Sequence, residues 1–328
     1  MSTIADQYRI LDQRPAWVDR SNRGWLRIEG RDAVPFLHAL VSNDVERLTP
    51  GEGTYAAYLT PQGRMIADLE ILRRGDVLLI GLAPGVAGPL ASRLDQSIFA
   101  DDVQVSDVSS SFAAMLVIGA TAARDVSQAV AVDIARLHAL PELGQCDIAG
   151  GFVMRSGDAP LDAFTVVFSI EARASMVRRL ESAGAWPADD ALATALRVAA
   201  GRPLFGVDMT EETIPLEAGL LERGISTTKG CYVGQEIVIR ILHRGAGRVA
   251  KRLVTLSWTS EPPVAPPAGT PLVADTRAVG HLTSIAPALT GDGWAGLGYV
   301  ARDWAVIGRR VTIGSPTGAV AEVTGFAR

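Results

Sequence analysis

The sequence predicts an α+β protein for roughly its first 245 residues, followed by a small all-β domain. Two observations carry this. Strand-like and helix-like segments are interspersed up to that point, and after Lys251 the texture changes to short strand-like pieces separated by Pro and Gly. A third removes an alternative: no GxGxxG sits between a strand and a helix, so a dinucleotide fold is rejected. The division read from this is 1–245 and 246–328.

The elements follow in order. WLRI (25–28) is a short strand. Asp32 is placed to cap a helix whose inner face carries Val34, Leu37, Leu40 and Val41. Strands are expected over 54–59, 65–73 and 77–82, joined by PQG and RGD, which are good turn chemistry. A helix over 84–99 stacks Leu90, Leu94 and Ile98 four apart. DVQVSDVS alternates as a strand, and SFAAMLVIG is a buried one. TAARDVSQAVAV is a helix opened by Thr121. AFTVVFSI is a strand, and EARASMVRRLESAGA a helix with Met176, Leu180 and Ala183 on one side. DDALATALRVAAG is a helix capped by Asp189 or Asp190 and closed by Gly201. KRLVTLSWT, TPLVAD, AVGHLTSIAP, WAGLGYV and RRVTIG read as strands of a small barrel or sandwich, with the Pro-rich loop SEPPVAPPAG between the first two. No internal repeat is visible.

Composition excludes several classes. No run of 18 uncharged apolar residues appears, so no membrane span is expected. The charged N-terminus has no apolar signal core, and a cytoplasmic location is the default. Two cysteines, no CxxC and no HxxxH or HExxH argue against a disulfide scaffold or a metal site built within one chain. A net charge of −5 argues against direct nucleic-acid binding, although residues 240–252 form a basic cluster.

One of the two cysteines stands in KGCYVGQE (229–236). A neighbouring cation or a helix N-terminus favours thiolate, and Lys229 is two residues away. The following VGQEIVIRILHR supports two readings. Its β-branched residues favour a strand; Glu236, Arg240 and Arg244 at i, i+4, i+8 favour a helix stopped by Gly245. If it is a helix, Cys231 lies just ahead of its positive end. The plainer reading makes Cys231 a small buried hydrophobe. Cys146, in ELGQCDIAG, has no polar constellation and is read as incidental.

KGCYVGQE resembles the signature of the YgfZ family of folate-binding proteins, relatives of the glycine-cleavage T protein, an aminomethyltransferase. The resemblance runs along nearly the whole chain. FLHALVSNDVERL with Asn43 and Asp44, YLTPQGRMIADLEI with Gly63 and Asp68, and LRVAAGRPLFGVDMTEETIPLEAGL with Arg197, Gly201, Asp208, Pro215 and Glu217 are similar to family segments. VGHLTSIAP, with Gly280, His281, Thr283 and Ser284, resembles the closing barrel. The resemblance implies an aminomethyltransferase-like fold of three domains in a ring, two of them α+β, with folate in the central channel. One departure stands out. RSGDAPLD replaces the Gly/Tyr-rich turn with its glutamate that the T protein carries before AFTVVFSI.

The same resemblance implies roles. Glu217 is the candidate acceptor for the two-donor edge of a pterin, with a helix cap or surface glutamate as the other reading. Asp68 is the candidate beside folate N5, otherwise a strand-end aspartate bound to a turn; a carboxylate inside an apolar strand is costly without a partner. Lys229, Arg240 or Arg244 would meet the anionic tail, the arginines otherwise lying on a solvated face. Tyr232, Gln235 and Asn43 are carried over as further cofactor-binding positions, and Cys231 as the reactive thiol. The leading function implied is tetrahydrofolate binding in support of iron–sulfur cluster assembly or repair in client enzymes, tRNA-modifying radical enzymes among them. Iron–sulfur client or assembly proteins are the implied partners, and a monomer is expected. The alternatives are a folate-dependent aminomethyltransferase or demethylase and an RNA-binding regulator of tRNA modification.

Overall fold

The computed structural model describes residues 3–243, 245, 247–259 and 265–328. Two elements precede anything the sequence suggested. Helix α1 (Ile4–Ile10) opens with a capping box between Thr3 and Asp6, and β1 (Ala16–Asp19) follows. Then come β2 (Gly24–Glu29), α2 (Ala33–Leu40), β3 (Gly53–Leu59), β4 (Met65–Arg74), β5 (Val77–Leu82), α3 (Ala87–Asp95) and β6 (Gln104–Asp107). Strands β2 to β6 form an antiparallel sheet in the order β3-β4-β5-β2-β6. Its outer face packs Ala56, Ala67, Leu69 and Ile71 against Leu37, Leu90 and Leu94 of the two helices. Its other face carries Trp25, Tyr55 and Leu79, which meet Phe152, Met154 and Val167 of the next sheet.

That second sheet is built from β7 (Phe112–Ile118), β8 (Gln145–Ile148), β9 (Gly151–Arg155), β10 (Ala163–Ser169) and β11 (Trp186–Pro187). Helices α4 (Ala122–Val130), α5 (Ile134–His138), α6 (Arg173–Ala183) and α7 (Asp190–Ala199) connect and cover it. Its order, β11-β1-β7-β10-β9-β8, takes the chain's first strand into its interior. The short helices α8 (Leu221–Gly224) and α9 (Gln235–His243) lead to the barrel. The ambiguous 233–244 segment is therefore helical through His243, with Val238 buried. Arg244, the last step of the proposed ladder, lies outside the described residues. The Gly245 N–H returns to the Arg240 carbonyl, as expected of a helix stop.

The last unit is a closed barrel, β12-β15-β14-β13-β16-β17, of β12 (Lys251–Trp258), β13 (Pro271–Ala274), β14 (Arg277–Pro287), β15 (Trp294–Ala301), β16 (Arg310–Ile313) and β17 (Val320–Phe326). Closure removes free edges, which decides barrel over sandwich. Of the Pro-rich loop, 260–264 lie outside the described residues. Among the described residues, no helix is long and apolar enough to cross a membrane.

Two cap expectations fail. Asp32 precedes α2, but its carboxylate accepts from Asp102 N at 2.8 Å instead of from its own helix. Thr121 precedes α4 without capping it. At α7 it is Asp189, not Asp190, that accepts from Ala191 N and Leu192 N, and Gly201 ends that turn at φ +70°. The helix expected over 84–99 is limited to Ala87–Asp95, and Phe99 is 91% exposed.

Candidate functional site

A cavity of about 630 Å³ lies where the two sheets and the barrel meet. Each unit supplies a wall: Tyr55, Asp68 and Glu70 from the first sheet, Leu116, Asp158 and Arg197 from the second, Thr283 to Ile285 from the barrel. The Pro-rich loop adds Ala265, Pro266 and Ala268. A volume of this size suits a small organic ligand with a few fixed polar contacts.

Strand β4 explains how carboxylates reach it. Alternation sends Ala67, Leu69 and Ile71 to the helix-covered core, and so turns Asp68 and Glu70 inward. Asp68 accepts from the Tyr55 hydroxyl at 2.9 Å. The Arg223 guanidinium lies 4.0 Å from the centre of the Tyr55 ring and also reaches Glu142 at 2.8 Å. Burial pushes the Asp68 carboxyl up, against the Tyr55 hydrogen bond and the pull of Arg223 and Arg23. Tyr55 is held neutral, far above its ordinary value, by burial and by the Asp68 charge. Glu70 pairs with Arg23 at 2.5 Å, and burial pushes its carboxyl up as well.

The Asp68 shift has a stability consequence. A raised folded pKa means that the native state holds its proton more tightly than the unfolded chain does. Stability therefore falls as pH climbs through the carboxyl range and stays lowered above it. Asp68→Asn, which still accepts from Tyr55, should raise the thermal midpoint at neutral pH. The gain should shrink as pH approaches about 4. A midpoint below wild type at pH 7 would contradict this.

The barrel wall rests on Asp208, 2% exposed. Its carboxylate takes Arg197 at 2.7 Å, Thr283 at 2.6 Å, Ser284 at 2.7 Å and Leu204 N at 3.1 Å. Consecutive strand residues normally point to opposite faces. A bulge between Leu282 and Ser284 aims both hydroxyls at one carboxylate oxygen.

The signature loop lies elsewhere. Cys231 is exposed and is not among the cavity-lining residues. The idea of a buried small hydrophobe is thereby corrected. Lys229 Nζ donates to the carbonyls of His38, Val41 (2.6 Å) and Asn43 (3.2 Å), at the C-terminal end of α2. A cation belongs there, and its three donors are engaged. Burial pulls its pKa down to about 8. Tyr232 is a core residue, 7% exposed, with its hydroxyl pushed up to about 12 by burial. Gln235 Oε1 accepts from Tyr232 N at 3.3 Å, which closes the start of α9. Arg240 is exposed on α9. Asn43 donates to Thr54 Oγ1, Tyr55 O and Arg223 O, tying α8 to β3. Gly234, at φ +81°, lets α9 meet the β3–β4 turn; a Cβ there would stand 2.4 Å from Thr60 O.

Glu217 is buried and is not among the residues that line the cavity. Its carboxylate lies 3.9 Å from Lys251 Nζ, and burial pushes its pKa up. Of the predicted positions among the described residues, only Asp68 lines the cavity. Glu217, Lys229, Tyr232, Gln235, Arg240, Asn43 and Cys231 are not brought to it.

Residues 1–229 match the GCVT N-terminal domain, and residues 251–324 match the glycine cleavage T-protein C-terminal barrel domain. The chain belongs to the glycine cleavage T-protein family. A putative chloroplastic transferase of Arabidopsis thaliana is 30% identical over 319 residues, 95% of this chain and 71% of that protein. An aminomethyltransferase of Geobacillus kaustophilus is 28% identical over 320 residues, 95% of this chain and 86% of that one. The crystal structure of glycine cleavage system aminomethyltransferase T from Bartonella henselae covers 98% of this chain and 88% of its own at TM-score 0.86. At 21% identity it establishes the T-protein fold.

Within this T-protein fold, the sequence reading missed most of the cavity's charge. Arg20, Arg23, Glu70, Asp158, Asp190 and Arg223 all line it. Glu70 had a signal, since it stands two residues from Asp68 on the same strand face. Asp158 had one too: it lies in RSGDAPLD, the segment that departs from the T protein, between β9 and β10. Among the described residues its carboxylate makes no ion pair.

Proposed function

We propose that this chain binds tetrahydrofolate in the central cavity and supports assembly or repair of iron–sulfur clusters in client enzymes, with Cys231 as the thiol offered to them. The observation that carries it is a division of labour. The cavity holds Asp68 braced by Tyr55, while the loop bearing Cys231 lies outside, its lysine, tyrosine and glutamine engaged in holding the loop.

The cavity residues fit a reduced folate. Leu82, Pro84, Leu116 and Ile285 offer apolar surface for its rings. Among the described residues the Asp158 carboxylate has no hydrogen-bond or ion-pair partner, though it lies in the field of Arg23, Arg202 and Arg223, and it would accept from the two-donor pterin edge in place of Glu217. When bound, tetrahydrofolate supplies a nucleophilic nitrogen for one-carbon units. Asp68 would orient that nitrogen and stabilise positive charge developing on it, with Tyr55 fixing the carboxylate. Gly230 has no atom within 4 Å of a would-be Cβ, so the loop beside Cys231 is open to a partner. One thiolate does not satisfy a cluster, so the cluster contact is transient or shared with the partner.

Calorimetry with tetrahydrofolate tests the cavity. Wild type should bind, and Asp158→Ala should bind about 10- to 100-fold more weakly, the scale of a charge-assisted pair. Glu217→Ala should stay within about threefold. No binding by wild type would end the folate assignment.

The placement of Asp68 also favours a second reading, a folate-dependent aminomethyltransferase. Methylene transfer to a lipoyl carrier or to glycine, abolished by Asp68→Asn, would establish it over the first.

A further inference from the structure

Among the described residues, four arginines line the cavity, and three are held inside it. Arg23 is paired with Glu70, whose side chain is 12% exposed. Arg197 is engaged by the fully buried Asp208 side chain, by Ser284 and by the Arg202 carbonyl. Arg223 is fixed between the Tyr55 ring and Glu142. Arg20 differs. Its side chain is 27% exposed, and its partner Asp190, at 2.6 Å, is 73% exposed. No lysine or histidine is among the described residues that line the cavity.

We propose that Arg20 is the rim anchor for the anionic glutamyl tail of the folate, exchanging the Asp190 carboxylate for a carboxylate of the ligand. This rests on the folate reading above. An exposed ion pair contributes little, so giving it up costs little. The guanidinium presents a planar fork of donors that matches any carboxylate, whether Asp190's or the ligand's. Asp190 is also well placed when released: it is the first residue of α7, where a negative charge is favoured by the helix dipole and by solvent. Asn22, two residues on, also lines the cavity and adds a neutral polar side chain. Arg20 thus sets specificity for tailed folates without touching the pterin.

The test compares three ligands by calorimetry: tetrahydropteroate, which has no glutamate, tetrahydrofolate, and its tri-γ-glutamyl form. Wild type should prefer the two tailed ligands by about tenfold, the scale of one charge-assisted bond less the pair it replaces. Arg20→Ala should remove that preference and leave tetrahydropteroate unchanged. Asp190→Asn, which keeps Arg20 and removes its competitor, should strengthen only the tailed ligands, by about threefold. It also decides the matter if Arg20→Ala folds poorly. Equal weakening of all three ligands by Arg20→Ala, or no weakening, overturns the anchor. If wild type binds all three equally, the anchor falls and the folate reading stands. If it binds none, both fall.

Discussion

Asp208→Ala is expected to cost about 3–5 kcal/mol, the scale for removing one partner of a buried ion pair. Asp208 accepts four donors from three places: Arg197 on α7, Leu204 N in the following loop, and Thr283 and Ser284 on the barrel. Its removal strands the charge of the Arg197 guanidinium, whose side chain is only 13% exposed, and takes the acceptor from the Ser284 hydroxyl, while Thr283 keeps the Leu297 carbonyl. Asp208→Asn keeps one acceptor oxygen and should cost less, about 1–3 kcal/mol. Urea midpoints should show this, and the barrel should loosen before the sheets. Trp258, Trp294 and Trp304 belong to the barrel unit, but Trp17, Trp25 and Trp186 belong to the sheets, so amide hydrogen exchange on the barrel strands rather than tryptophan emission gives the local readout. A loss under about 1 kcal/mol for Asp208→Ala would mean that Arg197 finds another counter-charge.

Cys231→Ala should leave tetrahydrofolate binding within about twofold, because the thiol stands outside the cavity. The same variant should fail to restore cluster-dependent enzyme activity in cells lacking the native gene. Cys146→Ala is the control. That thiol, on β8, is 2% exposed in the core of the second sheet, with its pKa pushed up by burial, and is not available to a partner. Full rescue by Cys231→Ala would remove the thiol from the mechanism. Loss of folate binding would instead mean that the loop and the cavity are one site.

The strand meander was legible because its turns are local. Gly63 and Gly75 sit at φ +72° and +62°, conformations that PQG and RGD announce. Strands β8 and β9 were not, being four and five residues long in a Gly-punctuated stretch. For α9, β-branched residues pointed toward a strand, but burial of one face decided for helix. Asp68 and Glu217 were both carried over from the resemblance. Nothing local says which side of a buried segment faces a cavity. Asp68 faces it and Glu217 faces Lys251. Lys229, Tyr232 and Gln235 surround the cysteine in sequence, yet their atoms hold the loop rather than a ligand. RSGDAPLD marked a departure from the family, but only the placement of β9 and β10 shows that it brings Asp158 to the cavity.

The position of β1 inside the second sheet bears on how the protein is made. β1 pairs with β7 on one side and β11 on the other, so Ala16 meets Ile118 and Trp186. During synthesis, this early strand has no strand partner until β7, beginning at Phe112, has emerged, and its second neighbour comes later still. The first sheet, β2 to β6, is complete in sequence by Asp107 and can close meanwhile. The ribosome therefore delivers a finished sheet with an unpaired strand ahead of it. Such an unpaired strand is the kind of element that aggregation exploits until its partners arrive.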